Sequence, residues 1–389
     1  MERNFKMLAK TLYGFEPILA KELRNLGASN VREGVRNVTY EGDTGFMYKA
    51  NLSLRTALKV LKPIKSFKVF NEKQLYRGIY DIDWSDCFDS AMSFAFDTVL
   101  NSDVFNNSLF VSQRAKDALV DKFRDVERER PSVNTREPDI RINIHLYNND
   151  CTVSLDSSGA SLHQRGYRIA TNIAPINEVL AAGLLLMSGW DGRSDFLDPM
   201  CGSGTFLIEA AMIACNIPAN INRDSFSFQN WKSFDDELFQ KIVDSRLNQT
   251  REFHHKIIGF DKAPSAVRKS QENAENANLS EYISIERKDF FRTLKPVENK
   301  LHIVFNPPYG ERLNINVDEF YSKIGDTLKQ DYAGTKAWFI TSNLGALKHV
   351  GLRPSRKIKV FNGKLESRLV MYELYEGSKK GKYIEKKIS

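Results

Sequence analysis

Phe196-Leu197-Asp198-Pro199-Met200-Cys201-Gly202-Ser203-Gly204-Thr205 joins an apolar strand to a glycine-rich turn, and an apolar helix pattern follows over residues 206–214. Such a turn lets backbone N–H groups and a helix N-terminus come close to a ligand. It lacks the Lys-Ser/Thr ending of a phosphate-binding P-loop and the third glycine of GxGxxG. The carboxylate of Asp198, at the strand end, instead suits a cationic ligand amine.

The chain around this stretch alternates strand and helix patterns from Gly166 onward, which is typical of a doubly wound α/β sheet. The predicted strands are Asp195–Asp198, Lys256–Asp261, Ile283–Glu286, Leu301–Phe305 and Ala337–Thr341. A final hairpin is predicted from Lys357–Phe361 and Leu365–Tyr375, turned at Asn362-Gly363. We therefore expect a Rossmann-like α/β domain over residues 165–389.

The first 66 residues show the element order βαββαβ, which predicts a ferredoxin-like unit. Its predicted elements are Phe5–Thr11, Glu16–Leu26, Ser29–Glu33, Val35–Glu41, Phe46–Leu54 and Ala57–Lys62. A second domain is predicted over residues 67–164, with the elements Glu72–Ile79, Met92–Leu100, Leu109–Arg130, Asp139–Tyr147 and Cys151–Asp156. Four arginines at the end of its long helix and in the loop after it could contact a phosphate backbone or form a solvated helix face: Arg124, Arg128, Arg130 and Arg136.

The composition is that of a folded protein with a basic excess, since 42% of its residues are hydrophobic and its net charge is +7. A basic excess raises affinity for polyanions without identifying one. No window approaches the roughly 18 to 20 uncharged apolar residues of a membrane span. The four cysteines have neither paired CxxC spacing nor histidine clusters nearby, so we expect no metal site, no disulfide framework and a cytoplasmic location.

Two further predicted strands are followed by carboxylates. Asp261 ends its strand and is positioned to accept hydrogen bonds from a ribose diol, although a lone Asp there could equally be the N-cap of the next helix. Asp289 could accept an adenine amino proton while Phe290 packs on the ring, or both could belong to a surface turn. Together with Asp198 these carboxylates predict a nucleoside pocket at the carboxyl edge of the sheet.

The most specific segment is Asn306-Pro307-Pro308-Tyr309, at the end of the fourth predicted strand. Two prolines fix an extended backbone and remove two N–H donors, which leaves carbonyls that can only accept. An exocyclic base amine is a poor nucleophile because its lone pair is delocalised into the ring. If Asn306 and the Pro307 carbonyl accept both amine protons, the lone pair is aimed at a methyl donor, and Tyr309 offers a face on which a flipped base can stack.

These segments resemble known sequences. Asn306-Pro307-Pro308-Tyr309 resembles the (D/N/S)PP(Y/F) motif of amino-group methyltransferases, and residues 198–205 resemble their first cofactor motif. Several segments resemble the THUMP-containing rRNA guanine-N2 methyltransferase family: Arg165-Gly166-Tyr167-Arg168, Ala174-Pro175-Ile176-Asn177-Glu178, the cofactor motif, the stretch from Asn306 to Leu313, and Gly363-Lys364-Leu365-Glu366-Ser367-Arg368-Leu369.

The resemblance covers nearly the whole chain, and it implies a class I S-adenosylmethionine methyltransferase domain preceded by a ferredoxin-like unit and a THUMP domain. The residues it implies for the cofactor are Asn177, Asp198, Pro199, Cys201, Gly202, Gly204, Thr205, Asp261, Asp289, Phe290 and Asn306. Asn306 to Tyr309 would hold the guanine. Because the enterobacterial form of the family carries a second methyltransferase domain, only the guanine-N2 activity is expected to carry over.

Three functions remain open at this stage. The first is methylation of guanine N2 in 23S rRNA or a large-subunit precursor. The second is methylation of adenine N6 in DNA or RNA, since the Asn-Pro-Pro-Tyr motif serves both amines. The third is a non-catalytic RNA-binding assembly factor. RNA is favoured over DNA because the N-terminal half resembles a THUMP module. Cys201 could act as a nucleophile for carbon-5 methylation of a pyrimidine, but packing of a small side chain explains it more plainly.

Overall fold

The computed structural model describes residues 4–169, 175–308 and 316–375. Within these ranges the chain forms two compact units. The first contains the described residues of Met1–Thr11, Leu19–Gln164 and Arg223–Arg246, and the second those of Leu12–Ile18, Arg165–Asn222 and Leu247–Ser389. Each unit is built on one seven-stranded sheet. No helix within the described ranges has the length and apolar character that crossing a membrane requires.

The N-terminal elements follow the predicted order. They are β1 (Phe5–Thr11), α1 (Glu16–Leu26), β2 (Ser29–Glu33), β3 (Asn37–Gly42), α2 (Thr44–Ser53), β4 (Ala57–Lys68), α3 (Glu72–Tyr80), β5 (Phe94–Asn101), α4 (Ser108–Glu127), β6 (Ile140–Tyr147) and β7 (Asp150–Asp156). The strand order in the sheet of the first unit is β2-β3-β1-β4-β7-β6-β5.

Strand β4 is longer than predicted, because it does not end at Lys62 but continues through Pro63 to Lys68. Its pairing with β7 shifts register between Pro63 and Lys65, and such a bulge accommodates a proline that cannot donate to the ladder. One flank of β4 pairs with β1 and the other with β7. The predicted ferredoxin-like and THUMP elements therefore share a single sheet, and the boundary at residue 66 stays a prediction.

Two other predicted element ends are displaced by left-handed residues. β3 begins at Asn37 and not at Val35, because Arg36 lies in the preceding turn with φ 58°. α4 ends at Glu127 and not at Arg130, because Arg128 caps the helix with φ 59°. Arg124 pairs with Asp121 at 3.4 Å, as expected of a solvated helix face.

The remaining elements build the second unit, apart from α7, most of which belongs to the first. They are α5 (Glu178–Ser188), β8 (Asp195–Asp198), α6 (Thr205–Ala214), α7 (Asp236–Leu247), β9 (Ile257–Asp261), α8 (Pro264–Asn276), β10 (Ile283–Arg287), β11 (Leu301–Phe305), α9 (Val317–Asp331), β12 (Lys336–Thr341), β13 (Arg356–Asn362) and β14 (Leu365–Glu373). Short 3-10 turns lie at Trp84–Asp86, Ser227–Asn230, Phe290–Arg292 and Ala346–Val350.

The sheet of the second unit has the order β10-β9-β8-β11-β12-β14-β13, which confirms the predicted doubly wound α/β sheet. Strands β8 to β12 are parallel, and β14 runs antiparallel to β12. From β8 the chain builds outward through β9 and β10, then returns to the other side of β8 with β11. Ligands of such sheets bind at this reversal, beyond the carboxyl ends of the strands.

The predicted hairpin between β13 and β14 is confirmed, with its turn one residue later than expected. Asn362 pairs with Leu365, so the two central residues are Gly363 and Lys364. Gly363 has φ +62°. A glycine with positive φ at the first central position is the requirement of a type II′ turn.

The segment 223–246 was not recognised from the sequence as part of the first unit. It contributes four phenylalanines to the first unit's core: Phe226, Phe228, Phe234 and Phe239. Tyr48 of α2 stacks on Phe228 with ring centroids 4.5 Å apart and meets Phe239 edge to face at 5.8 Å. The chain thus leaves the second unit after α6, packs into the first, and returns before β9.

A fully buried ion pair fixes the start of the second unit. The Nε of Arg165 lies 3.3 Å from Oε1 of Glu209, and neither side chain is exposed. Tyr167 donates its hydroxyl to the same carboxylate at 3.1 Å, and Arg165 donates to Asn220 at 2.9 Å. Glu209 is the only acidic residue of the apolar helix α6, so the pair ties that helix to the segment entering the unit.

Removing one member of this pair should strongly destabilise the second unit. We expect Arg165→Met to lower its free energy of unfolding by about 3–5 kcal/mol, since the Glu209 charge stays buried without its cation. The thermal midpoint should fall by on the order of 10 °C in calorimetry. Arg165→Met combined with Glu209→Leu should recover much of that loss.

The matched control is Arg193→Met, because Arg193 pairs with Asp191 at 3.6 Å but its side chain is 84% exposed. A change within about 0.5 kcal/mol is expected there. Equal losses for the buried and the exposed arginine would show that the pair does not hold the unit together.

Candidate active site

The glycine-rich turn after β8 is held against the neighbouring strand β9. The N–H of Cys201 donates to the Phe260 carbonyl at 2.9 Å, and the N–H of Gly204 donates back to Cys201 at 2.8 Å. Gly204 has φ +82°, and a Cβ there would lie 2.3 Å from Oγ of Ser270. Only glycine fits that position, since any side chain would meet both backbone strain and a collision with α8.

Asp198, at the end of β8, has a buried carboxyl group with 2% of the residue exposed. Burial raises its pKa well above the usual range; the Met200 N–H opposes this shift and the charge of Asp261 adds to it. A cation placed beside Asp198 would favour its ionised form. This fits the ligand amine predicted for the position, and that role stays a prediction.

Asp261 ends β9 and faces the turn. Its Oδ2 accepts from the Gly202 N–H at 3.0 Å and its Oδ1 from the Ala263 N–H at 2.9 Å. It is not the N-cap of α8, because Ala263 occupies that position. Each oxygen of this carboxylate has a second acceptor site, so Asp261 can also accept hydrogen bonds from ribose hydroxyls.

Asp289 and Phe290 lie in a short turn after β10. Asp289 caps this turn by accepting from the Phe291 N–H at 3.1 Å. The Phe290 ring is 2% exposed and packs against Phe305 at 5.8 Å and Tyr332 at 5.5 Å. Phe290 therefore serves the core, and adenine contacts by this pair stay a prediction.

Arg168 binds the turn on its other side, and sequence reasoning gave it no role. Its guanidinium donates to Glu178 at 2.7 Å, to Thr205 Oγ1 at 2.9 Å, to the Ile176 carbonyl at 3.1 Å and to Ser203 Oγ at 3.4 Å. One cation thus joins the turn to the first residues of α5. The only sequence signal was the resemblance of residues 165–168 to a family motif.

Two asparagines complete this side of the site. Asn177 caps α5 by accepting from the Leu180 N–H at 3.1 Å, next to Glu178. Asn273 of α8 is buried, accepts from the Ile169 N–H at 3.0 Å and donates to the Ser203 carbonyl at 3.0 Å. The predicted contact of Asn177 with the cofactor stays a prediction.

Asn306, immediately after β11, carries the most informative polar atom in the described site. Its Oδ1 is buried and has no hydrogen-bond partner among the described residues. A buried acceptor left unpaired costs about 1–3 kcal/mol, and such atoms in folded proteins call for a functional explanation. Pro307 is buried and Pro308 is exposed, whereas Tyr309 lies outside the described residues.

The strand pairing brings this acceptor to the glycine-rich turn. β11 pairs directly with β8, with Ile303 opposite Leu197. Asp198, which ends β8, and Asn306, which follows β11, therefore lie at the same edge of the sheet. The glycine-rich turn lies against β9 on one side of β8, and Asn306 follows β11 on the other.

Cys201 is 6% exposed, and burial raises the pKa of its thiol well above the ordinary value. A Cβ on Gly259 would lie 3.3 Å from its Sγ, so the thiol fills space between the turn and β9. A protonated, packed thiol is a poor nucleophile. This favours the packing explanation of Cys201 over carbon-5 chemistry.

Comparison with known proteins identifies the family of the chain. Residues 165–371 match the RMKL-like methyltransferase domain, residues 70–156 the THUMP domain and residues 6–61 the RlmL ferredoxin-like domain. The chain belongs to this methyltransferase family. The predicted fold class, a Rossmann-like methyltransferase domain preceded by a ferredoxin-like unit and a THUMP domain, is confirmed.

Relatives of known name agree with this family. A protein of Synechocystis named as a candidate RNA methyltransferase is 37% identical over 93% of this chain and 95% of its own length. The ribosomal RNA large subunit methyltransferase K/L of Shewanella frigidimarina is 37% identical over 96% of this chain. The chain spans about half of that relative's length, 53%.

A solved structure extends the similarity to the cofactor class. A candidate methyltransferase complexed with SAH superposes with a TM-score of 0.85 at 29% identity, covering 97% of this chain and all of the other. The prediction of an S-adenosylmethionine-dependent methyltransferase is thereby confirmed at the level of the family. The individual site residues stay predictions.

Replacing the Cys201 thiol tests its role directly. We expect Cys201→Ala to retain methyl transfer within a few-fold of the unchanged protein, because the buried, protonated thiol takes no part in the chemical step. Cys215→Ala, at the buried C-cap of α6, is the matched control. Complete loss of turnover in Cys201→Ala alone, with cofactor affinity by calorimetry intact, would favour a nucleophilic thiol.

Proposed function

We propose that the chain transfers the methyl group of S-adenosylmethionine to the N2 amine of guanine in 23S rRNA. The observation that carries the proposal is the buried Oδ1 of Asn306, which has no hydrogen-bond partner among the described residues and follows the strand next to the glycine-rich turn. An exocyclic amine supplies the two protons that such acceptors require. A bound base amine would supply the hydrogen bond that this oxygen lacks among the described residues.

The residues after β11 would activate the amine by hydrogen bonding and not by removing its proton beforehand. Asn306 Oδ1 would accept one amine proton and the Pro307 carbonyl the other, which directs the nitrogen lone pair away from the ring. His302 of the same strand is not placed to act as a base, because it lies opposite Phe196 and Lys336, four residues before Asn306. Burial also lowers its pKa to about 4.

The residues around the turn fit S-adenosylmethionine. A buried carboxyl at Asp198 suits its ammonium group, and Asp261 has acceptor sites for ribose hydroxyls. The turn carries Gly204 where a side chain would collide with Ser270. When bound, the cofactor supplies a methyl group already activated by its sulfonium. The protein then contributes mainly proximity and orientation, which can account for several kcal/mol of the barrier.

The choice of RNA and of guanine rests on the first unit and on the relatives. The THUMP match and the named RNA methyltransferase of Synechocystis support an RNA substrate. The K/L relatives are named for large-subunit rRNA, and guanine N2 fits that name. The Asn-Pro-Pro-Tyr segment itself serves guanine and adenine amines alike, so the base has to be identified in the product.

Asn306→Ala should abolish the acceptor and leave the cofactor pocket intact. We expect kcat with 23S rRNA to fall by on the order of 10²-fold or more, as for other preorganised polar groups at reacting centres. The dissociation constant for S-adenosylmethionine by calorimetry should stay nearly unchanged. Asn306→Asp keeps an acceptor oxygen and should retain more turnover than Asn306→Ala. Full activity of Asn306→Ala would refute this mechanism.

Product analysis separates the candidate functions. Purified protein is incubated with labelled S-adenosylmethionine and either unmodified 23S rRNA or duplex DNA, and the nucleosides are identified by mass spectrometry. N2-methylguanosine from rRNA is the expected product. N6-methyladenine would keep the chemistry and change the substrate, whereas transfer to neither, with the cofactor bound, would favour an assembly factor or a substrate within a particle.

A further inference from the structure

The β13–β14 hairpin contains residues 363–369, which resemble the family but have no role in the site described above. Thr341, the last residue of β12, lies opposite Arg368 of β14. Residues 365–367 and their partners on β13 therefore extend beyond the carboxyl end of β12. This is the edge of the sheet at which Asn306 lies.

An aromatic pair lies on this extension. Tyr13, from the segment Leu12–Ile18 of the second unit, meets Phe361 edge to face with ring centroids 5.6 Å apart. Tyr13 is 48% exposed, and Phe361 is half-buried. Gly14 follows with φ +84°, a conformation that favours glycine, and it lies against the Lys359 carbonyl. The partly exposed Tyr13 ring is thus held on the part of the hairpin that extends beyond the carboxyl edge of the sheet.

The same extension is rich in cations. Lys359 Nζ lies 5.3 Å from the centre of the Phe361 ring and 2.6 Å from Glu366. Arg368 also binds Glu366, at 2.8 Å, and Lys364 is exposed on the turn. Lys359 and Arg368 share the Glu366 carboxylate, and Lys364 adds a third cation on the turn, which leaves the hairpin with a local positive charge.

The hairpin lies within reach of nucleotides near the target base. The strand registers place Asn306 level with Ile340 of β12, Leu369 of β14 and Ile358 of β13. Phe361 lies three residues further along β13, and β13 is three strands away from β11. At about 4.8 Å per strand and about 3.3 Å per residue, the separation is roughly 17 Å. A stacked single strand covers that distance in about five nucleotides, and an extended one in fewer.

We propose that Tyr13, Lys359, Phe361 and Lys364, here called the hairpin surface, bind the single-stranded RNA that flanks the target nucleotide. The inference deepens the proposed function and rests on it, because it takes RNA as the substrate. Aromatic faces combined with cations are the means by which proteins bind single strands. Extraction of a base from its helix also leaves its neighbours unstacked.

Protection of a sheet edge would explain the cations alone. β13 is an edge strand, and lysines on edge strands prevent pairing with other chains. That role requires neither a partly exposed tyrosine held by Phe361 nor any effect on RNA. The two explanations therefore differ in what substitution of the aromatic residues should do.

The test measures binding of a fluorescein-labelled, mixed-sequence single-stranded RNA by anisotropy, and KM and kcat with unmodified 23S rRNA. We expect Tyr13→Ala and Phe361→Ala each to weaken RNA binding and raise KM by about tenfold, with kcat little changed. Tyr13→Phe and Phe361→Tyr should restore binding. Lys359→Glu should reduce the slope of log Kd against log salt by about 0.7 per lost phosphate contact.

Lys336→Glu is the matched charge control. Lys336 begins β12 at the opposite edge, pairs with Glu373 at 3.9 Å and is 57% exposed, against 49% for Lys359. The Lys336→Glu substitution should leave RNA binding unchanged. Thermal midpoints and cofactor affinity are measured for every variant, so that misfolding is recognised.

The inference is overturned if the two alanine variants fold and bind RNA like the unchanged protein, or if Lys336→Glu weakens binding as much as Lys359→Glu. The proposed function can fail separately. If the unchanged protein transfers no methyl group to rRNA, the binding comparison still decides whether the hairpin surface contacts RNA.

Discussion

The parallel pairing of β8 with β11 is the constraint on which the second unit depends. Backbone hydrogen bonds set Leu197 opposite Ile303, so the segments that follow these two strands leave the sheet side by side. One becomes the glycine-rich turn and the other presents Asn306. A shift of one residue in this register would turn the side chains of β11 to the opposite face and carry the acceptor with them.

Buried charge holds the turn in the shape that this pairing requires. Arg165 and Glu209 are wholly buried, and Arg168 bonds to four groups on the turn and the start of α5. Removing such groups from water is costly, and their mutual bonds offset the cost only when every partner is in position. The cluster therefore favours one arrangement of the turn over looser alternatives.

Some stabilising contacts join segments that are far apart in the chain. β4 pairs with both β1 and β7, which places the predicted ferredoxin-like and THUMP elements in one sheet. Residues 223–246 leave the methyltransferase sequence and pack their aromatic rings around Tyr48. The hairpin surface likewise needs Tyr13 from the N-terminal region. Contacts of this kind depend on packing and leave no periodic signal in the local sequence.

The sequence by itself determined what depends on neighbouring residues: the alternation of strands and helices, the glycine-rich turn after Asp198, the Asn-Pro-Pro segment after β11 and the Gly363 hairpin. Each follows from backbone preference or hydrophobic period over a few residues. Only the tertiary structure decided that β4 runs past Pro63, that Glu209 meets Arg165, that Phe290 faces the core and that Asn306 Oδ1 is buried without a partner among the described residues. These facts depend on which distant groups come together, because burial and pairing are properties of the packed chain and not of any single segment.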